Sequence, residues 1–394
     1  MKNIESSAEQ LAVVMSGGGA RSAYQVGCLA QLVRSFPSLG VPILTGVSAG
    51  AINAVTLAAY TGNLPERVDR LTQFWRELEL ESVFRCTYGD LFRRAIYWGS
   101  RLMGGGHKLP LPEMRGMVDT TPLWNHLRSC LAADGDRLPG IEENLNNGQL
   151  SALAVTGSSY STGQTITWFQ GREVSNWKRG NRISERAEIG VAEVMASAAL
   201  PLLFPAVEIR GRWYGDGGIR LTAPLAPAIH LGATRILAVS TRHEPENEEA
   251  HDRCMIDGYP PPAQVMGSLL NAVFLDQLEG DALRLQRTNR LLAELPKTST
   301  NGLRPIDLCV LRPSQDLGEL ANKFEARLPR AFRFMTRGLG TKETRSNDML
   351  SMLMFQADYV EALIELGIKD TLARETELAA FLQISNINSQ TRNV

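Results

Sequence analysis

Two short strand–turn–helix units stand at the start of the chain, and each turn is rich in glycine. The apolar segment LAVVM (residues 11–15) runs into SGGGARSAYQ, and the segment from residue 42 to 45 runs into a turn at Gly46–Gly50 that opens the helical pattern AINAVTLAAY. Strands that alternate with helices in this way are joined by crossovers and form parallel sheets. The pattern predicts an α/β fold with a mostly parallel central sheet.

Further strand patterns occur along the chain. Two of them, LFPAVEI and RWYG, lie on either side of Gly211, which is the pattern of a β-hairpin. The other predicted strands are residues 151–157, 164–170, 235–240 and 306–313. One long helix is expected from Gln264 to Leu295, and the chain after residue 313 is predicted to be mostly helical.

Length, charge and cysteine content limit the classes of protein to which this sequence can belong. The 394 residues suffice for two to three average domains or for one large α/β domain. The 41 basic and 42 acidic side chains give a formal net charge of −1, which excludes a generic polycation and gives no reason to expect nucleic acid as a partner. The five cysteines are far apart, which favours a reducing compartment over a disulfide scaffold.

Targeting signals are not evident in the sequence. The segment MKNIESSAEQ lacks the basic and apolar regions of a secretory signal, and no apolar run reaches the length of about 18 residues that a transmembrane helix needs. We therefore expect a soluble, cytoplasmic protein, with peripheral contact to a membrane left open.

The pentapeptide Gly46-Val47-Ser48-Ala49-Gly50 has the GxSxG pattern of a nucleophile elbow. It follows an apolar strand and opens a helix, which is the setting that this motif requires. Glycine leaves room in a sharp turn, and the turn lifts the Ser48 hydroxyl to the carboxyl end of the sheet. Ser48 is therefore a candidate nucleophile framed by Gly46 and Gly50, and the alternative is a glycine-rich turn with a capping serine.

The consecutive glycines Gly17–Gly19 lie between the first predicted strand and its helix. Backbone N–H groups in such a loop bind an anion, and in acyl transfer that anion is the tetrahedral oxyanion. A dinucleotide phosphate loop is the rival interpretation. Against it, Ser22 stands where a third glycine belongs, no GK[ST] ending follows, and residues 33–40 hold no acidic side chain for a ribose.

The third signal is Asp216-Gly217-Gly218, directly after the predicted strand RWYG. A carboxylate at this place can take the Ser48 proton during attack and return it to the leaving alkoxide. An isolated Asp-Gly pair is more often a structural turn. Its occurrence after the other two motifs favours a general base at Asp216.

These three motifs, in this order, resemble those of the patatin-like phospholipase family. The segments SAALPLLFPAVEI before DGG and PLAPAIHLGATRILAVS after it are similar to the same family. The resemblance covers about residues 10–240, and the segment MVDTTPLWNHL is similar to bacterial members.

The resemblance implies a three-layer α/β/α domain with a Ser–Asp dyad and no catalytic histidine. By matching motifs, Ser48 is the nucleophile, Asp216 is the base, and Gly17, Gly18 and Gly19 supply oxyanion donors. Arg21 matches a basic residue of the family loop that orients the loop or a phosphate. Gly217 and Gly218 match the glycines after the base. The family usually has glycine at the position of Ser22, and this departure is expected to loosen the approach of the helix to the strand.

Domain boundaries follow from the resemblance and from composition. Residues 8–245 are predicted to form the acyl hydrolase domain, and residues 246–394 a mainly helical part that completes or caps it. Residues 84–118 mix aromatic and basic side chains around a glycine run, which suggests a lid or a membrane-docking insert. A core-packing helix pair with a basic outer face is the alternative for this insert.

Family members hydrolyse fatty-acyl esters, so the expected substrate is a phospholipid or another fatty-acyl ester. No cofactor is expected, and no metal either, because no paired His, Cys or Asp spacing occurs. Two alternatives stay open: a Ser–His–Asp hydrolase that uses His243, and a lipid-binding scaffold on the same fold with little turnover. Headgroup, acyl length and oligomeric state are not predicted.

Overall fold

The computed structural model describes residues 10–85, 89, 116–172, 174–244, 259–296, 300, 302–338 and 346–383. The strands of the sheet in this part of the chain are β1 (Leu11–Met15), β2 (Ile43–Val47), β3 (Ala152–Ser159), β4 (Thr165–Gly171), β5 (Lys178–Arg179), β6 (Arg182–Arg186), β7 (Val207–Ile209), β8 (Arg212–Asp216), β9 (Arg235–Val239) and β10 (Asp307–Leu311).

The described α-helices connect these strands or follow them. They are α1 (Ala23–Ser35), α2 (Ala49–Ala59), α3 (Leu64–Arg76), α4 (Leu80–Val83), α5 (Thr121–Cys130), α6 (Pro139–Asn146), α7 (Val191–Ser197), α8 (Ala226–His230), α9 (Pro262–Leu270), α10 (Asp276–Glu294), α11 (Leu317–Asn322), α12 (Arg330–Gly338), α13 (Asp348–Leu353), α14 (Ala357–Ala373) and α15 (Glu375–Phe381). The 3₁₀ turns are Gly19–Ser22, Gly217–Arg220 and Glu325–Arg327, and a π-helical turn covers Asn271–Leu275.

Strands β10, β9, β1, β2 and β3 lie side by side and run parallel. Strand β4 pairs antiparallel with β3, β6 runs parallel to β4, and β5 is antiparallel to β6. The hairpin β7–β8 joins the sheet through β8, which pairs antiparallel with the carboxyl end of β3. The predicted α/β class with a mostly parallel sheet is confirmed.

Helices cover both faces of the sheet because the strand side chains alternate between two cores. In β1, Leu11, Val13 and Met15 belong to a core that also holds side chains of α1, α2 and α14. The intervening Ala12 and Val14 belong to a second core, with side chains of α8 and α10. The architecture therefore has the predicted three layers.

Two local features were not predicted from the sequence. Strands β5 and β6 were not predicted, because they form a sheet edge on which only Ser184 is buried, so the apolar pattern of a core strand is missing. The single helix expected over residues 264–295 is divided into α9 and α10 by the π-helical turn at Asn271–Leu275. The periodicity of apolar residues does not reveal a turn that inserts one extra residue.

The C-terminal part of the chain packs closely against the N-terminal part, through β10 and α14. Strand β10 extends the sheet beside β9, and α14 packs along α1 so closely that a Cβ at Gly27 would overlap the carbonyl oxygen of Ile364. We infer that the described residues from 259 to 383 belong to the same domain as those from 10 to 244. The predicted insert, residues 84–118, lies outside the described residues apart from its ends and Gly89.

Candidate active site

Ser48 lies in a strained turn between β2 and α2. Its backbone adopts φ 55° and ψ −132°, a conformation that a residue with a side chain rarely adopts and that is concentrated at functional sites. The turn needs glycine at Gly50, because a Cβ there would overlap the carbonyl oxygen of Met15, and at Gly46, where it would overlap the carbonyl oxygen of Gly50. The sequence motif thus reflects a real steric requirement of the elbow.

The elbow is fixed by a second serine. The Ser48 amide donates to Ser197 Oγ at 3.0 Å, and Ser197 Oγ donates to the carbonyl oxygen of Thr156 at 2.6 Å. Ser197 ends helix α7, and Thr156 lies on β3 next to the strand that carries Ser48. This chain of hydrogen bonds ties the strained turn to the neighbouring strand.

Asp216 ends strand β8 and faces Ser48 directly. The Ser48 hydroxyl donates to Asp216 Oδ2 at 2.6 Å, and the Gly218 amide donates to Asp216 Oδ1 at 2.8 Å. Gly217 packs closely against β3, since a Cβ there would overlap the carbonyl oxygen of Thr156. The structure therefore brings the predicted Asp216-Gly217-Gly218 motif to the predicted Ser48.

The environment of Asp216 changes its acidity. The side chain has no exposed surface, and burial raises the pKa of this carboxyl to about 7, while the hydrogen bonds from Ser48 and Gly218 act in the opposite direction. A carboxyl with a pKa near neutrality can exchange a proton at the pH of most cells, which suits a general base.

The glycine-rich loop runs beside the Ser48 side chain. A Cβ at Gly17 would lie 2.9 Å from Ser48 Cβ, and the Gly17 carbonyl accepts a hydrogen bond from Thr241 Oγ1 at 2.7 Å. Gly19 has a left-handed φ of 57° and begins a 3₁₀ turn. Within the described ranges, the amides of Gly18 and Gly19 donate no hydrogen bond, and both residues line the cleft that also holds Ser48.

Arg21 does not point into the cleft beside Ser48. Its side chain is buried, its Nε donates to Ser351 Oγ at 2.6 Å, and its guanidinium forms an ion pair with Asp348. Of the two predicted roles for Arg21, this placement favours orientation of the loop over contact with a phosphate.

Ser22, the departure from the family pattern, is fully buried at the start of α1. Its carbonyl oxygen accepts a hydrogen bond from Asn53 Nδ2 at 3.1 Å, and its hydroxyl has no hydrogen-bond partner among the described residues. The Asn53 amide also donates to Gln25 Oε1 at 2.9 Å, which links α1 to α2 behind the loop.

An apolar cleft opens next to Ser48 and the glycine-rich loop. Side chains that line it include Ile52, Leu200, Phe204, Phe274, Met352 and Phe355. Three of these come from the C-terminal part of the chain, which therefore supplies one wall of the cleft. None of the described residues that line the cleft carries a charged side chain, which suits a hydrocarbon chain.

His243, the alternative catalytic histidine, is placed elsewhere. In a triad the imidazole stands between serine and carboxylate, whereas Ser48 and Asp216 are in direct hydrogen-bond contact. The His243 Nδ1 lies 2.9 Å from the carbonyl oxygen of Pro313. Among the residues that the structure describes, no group of three or more His, Cys, Asp and Glu side chains could hold a metal ion.

Several residues at the site were not predicted from sequence. Ser197 begins the segment SAALPLLFPAVEI, so a signal for it was present in the family resemblance, and Thr241 directly follows a predicted strand. Phe274 and Met352 had no signal, because they are apolar residues within helical patterns far from the motifs.

Comparisons with known proteins agree with the family resemblance. The model of the patatin-like phospholipase family matches residues 13–229, which is more than half of the chain. A search of curated proteins found no match.

Three similar solved structures are distant in sequence. VipD from Legionella pneumophila is 13% identical over 91% of this chain and 67% of its own, with a TM-score of 0.37. Human GIVD cytosolic phospholipase A2 is 12% identical over 95% of this chain and 60% of its own, with a TM-score of 0.45. ExoU of Pseudomonas aeruginosa, solved in complex with SpcU, is 16% identical over 88% of this chain and 76% of its own, with a TM-score of 0.28.

Likeness of this degree carries no functional argument, and the chain spans about three fifths of the length of the human enzyme. The family match alone identifies the protein. The chain belongs to the patatin-like phospholipase family, a family of lipid ester hydrolases.

Proposed function

We propose that the protein is a serine lipid acyl hydrolase, of the phospholipase A, lysophospholipase or esterase type, with Ser48 and Asp216 as its catalytic dyad. The observation that carries the proposal is the 2.6 Å hydrogen bond from the Ser48 hydroxyl to Asp216 Oδ2 at the edge of an apolar cleft. A nucleophile in contact with its base is the arrangement that activates a serine hydroxyl.

The first step is acylation of Ser48. As Ser48 Oγ attacks the ester carbonyl carbon, its proton moves to Asp216 Oδ2 and a tetrahedral oxyanion forms. The proposed donors to this oxygen are the backbone amides of Gly17, Gly18 and Gly19, of which Gly18 and Gly19 line the cleft beside Ser48. The amide of Ala49, the residue after the nucleophile, is a further proposed donor. The bond to the alcohol oxygen then breaks, and the alkoxide leaves with the proton from Asp216.

The second step releases the fatty acid. Asp216, ionised again, takes a proton from a water molecule as the water oxygen attacks the acyl carbon. The bond between the acyl carbon and Ser48 Oγ breaks, and Ser48 recovers the proton. The acyl chain occupies the apolar cleft in both steps, because its lining removes hydrocarbon from water.

The lipid substrate and the cellular setting form part of the same proposal. Contact with a membrane surface follows if the substrate is drawn from a bilayer. No helix in the described ranges combines the length and apolar composition needed to cross one. The described cysteines Cys28, Cys130 and Cys309 are free, which supports the expected cytoplasmic location.

Hydrolysis of p-nitrophenyl esters over a range of acyl lengths tests the proposal. Wild type should hydrolyse them, Ser48→Ala and Asp216→Asn should be inactive, and His243→Ala should keep activity within about twofold, because His243 contacts Pro313 rather than the dyad. Loss of activity in a folded His243→Ala variant would support the triad instead. An inactive wild type would support the lipid-binding scaffold.

The pH dependence of hydrolysis should follow the ionisation of Asp216. Only the carboxylate form accepts the Ser48 proton, and the pKa of this carboxyl is about 7. We expect kcat/KM to fall about tenfold per pH unit below that pKa and to level off above it. Initial rates from pH 5 to 9 measure this directly, and a profile that stays flat down to pH 5 would contradict a base whose pKa is raised to about 7.

A further inference from the structure

A carboxylate from the C-terminal part, Asp348, contacts two segments that each carry residues of the active site. Its Oδ1 forms the ion pair with the guanidinium of Arg21, and its Oδ2 accepts a hydrogen bond from Asn271 Nδ2 at 2.7 Å. Asp348 begins helix α13, and it lies beyond residues 13–229, the part of the chain that defines the family. One side chain thus joins two segments that are far apart in sequence.

The first segment is the glycine-rich loop. Arg21 lies in the 3₁₀ turn that starts at Gly19, and only 4% of its side chain is exposed. The Arg21 side chain bonds to Asp348 and to Ser351, and the Ser351 hydroxyl in turn donates to the Asp348 carbonyl at 2.7 Å. The next residue of α13 completes the contact, because a Cβ at Gly19 would overlap the carbonyl oxygen of Met352.

The second segment is the π-helical turn that opens with Asn271. This turn carries Phe274, whose ring lies against Gly218 so closely that a Cβ on Gly218 would overlap it. Phe274 also lines the cleft, and Gly218 donates to the base Asp216. Single π-helical turns within α-helices are frequent at functional sites, and here the turn puts an aromatic wall beside the base.

We propose that Asp348 is a positioning residue that holds the oxyanion loop and the Phe274 wall in fixed places relative to Ser48. The proposal rests on the proposed acyl hydrolase function. Oxyanion donors act only when they already lie where the charge develops, and a displacement of about 1 Å costs on the order of 100-fold in rate. Because the Arg21 guanidinium is buried, its ion pair with Asp348 determines the position of the loop.

The test compares Asp348→Asn with a matched control. Asp358→Asn removes the carboxylate of another Arg–Asp ion pair, with Arg327, in which 65% of the arginine side chain is exposed. Both variants are assayed with a short-chain p-nitrophenyl ester, and the number of active sites is counted by titration with a fluorophosphonate. We expect Asp348→Asn to lower kcat per titrated site by about 10- to 100-fold with KM within about threefold, and Asp358→Asn to stay within about twofold of wild type.

A role in folding alone gives a different result. It would reduce the number of titrated sites and leave kcat per site unchanged, and that outcome would overturn the proposal, as would an equal loss in Asp358→Asn. A double-mutant cycle with Arg21→Met adds a second readout, because residues that act through one another are not additive. We expect the double variant to lose little more than Asp348→Asn, whereas additive losses would contradict action through Arg21.

Two milder variants keep the proposal testable if Asp348→Asn does not fold. Both variants leave the ion pair intact: Ser351→Ala removes the two hydrogen bonds of the Ser351 hydroxyl, to Arg21 and to the Asp348 carbonyl, and Asn271→Ala removes the one to Asp348 Oδ2. Each is expected to lower kcat per site by about threefold, and unchanged values in both would overturn the proposal. Ser48→Ala distinguishes failure of the proposed function from failure of the proposed role of Asp348. If Ser48→Ala keeps activity, the dyad and the Asp348 role are both wrong. If it is inactive while Asp348→Asn is normal, only the latter fails.

Discussion

Ser48→Ala is expected to lower kcat for fatty-acyl ester hydrolysis by at least about 10⁴-fold. The alanine has no oxygen to form the acyl-enzyme, and catalysis by the remaining oxyanion donors alone is weak. The fold should persist, because the lost hydroxyl makes one hydrogen bond, to Asp216, and the backbone of the elbow is held separately through Ser197. Steady-state rates and a thermal unfolding curve of the same sample check both parts.

A matched control for this change is Ser158→Ala. Ser158 is a buried serine of β3 whose hydroxyl has no hydrogen-bond partner among the described residues. Its replacement should leave the rate within about threefold of wild type, since no hydrogen bond is lost. Retention of more than a few per cent of the rate in a pure Ser48→Ala sample would mean that another group is the nucleophile.

Asp216→Asn is expected to abolish activity and to stabilise the fold at alkaline pH. The amide cannot take the Ser48 proton, so kcat should fall by about 10³-fold or more. The same substitution is expected to increase stability, because the pKa of Asp216 rises from 3.8 to about 7 on folding. Above pH 7 the buried carboxylate is ionised, which lowers the free energy of unfolding of the wild-type protein.

The pH window of this stabilisation follows from the two pKa values. Above pH 7 the full penalty applies, and replacement by the neutral amide should raise the free energy of unfolding by up to about 4 kcal/mol. The gain should shrink as the pH falls through 7 and should vanish below about 4, where the carboxyl is protonated in both states. Unfolding curves of both proteins at pH 8, 6 and 4 measure it, and a variant less stable than wild type at pH 8 would contradict a buried ionised Asp216.

The three motifs could be located from the sequence because the backbone conformation at their key positions tolerates only certain residue types. Gly50 and Gly46 are needed where a side chain would overlap a carbonyl oxygen, and Gly19 is needed at a left-handed φ. Such positions admit few residue types, so the elbow and the loop leave a readable pattern. The pairing of Ser48 with Asp216 was expected from the resemblance of these motifs to the family, and the two side chains lie in hydrogen-bond contact.

The rest of the site left no such pattern. Phe274, Met352 and Asp348 are ordinary helix residues, and their roles depend on contacts with residues remote in the chain, as in the ion pair between Asp348 and Arg21, 327 positions apart. No local pattern encodes a contact at that separation. The π-helical turn at Asn271–Leu275, which carries Phe274 against Gly218, was not predicted either, because the periodicity of apolar residues does not reveal it.

The most direct test of the dyad is the identification of the residue that reacts with an alkyl fluorophosphonate. Peptide mass spectrometry of the inactivated protein should find one adduct, on Ser48, and labelling of Asp216→Asn should be slower by about 10²-fold or more, because the base that activates the hydroxyl is gone. An adduct on another residue, or labelling of Asp216→Asn at the wild-type rate, would contradict a Ser48–Asp216 dyad.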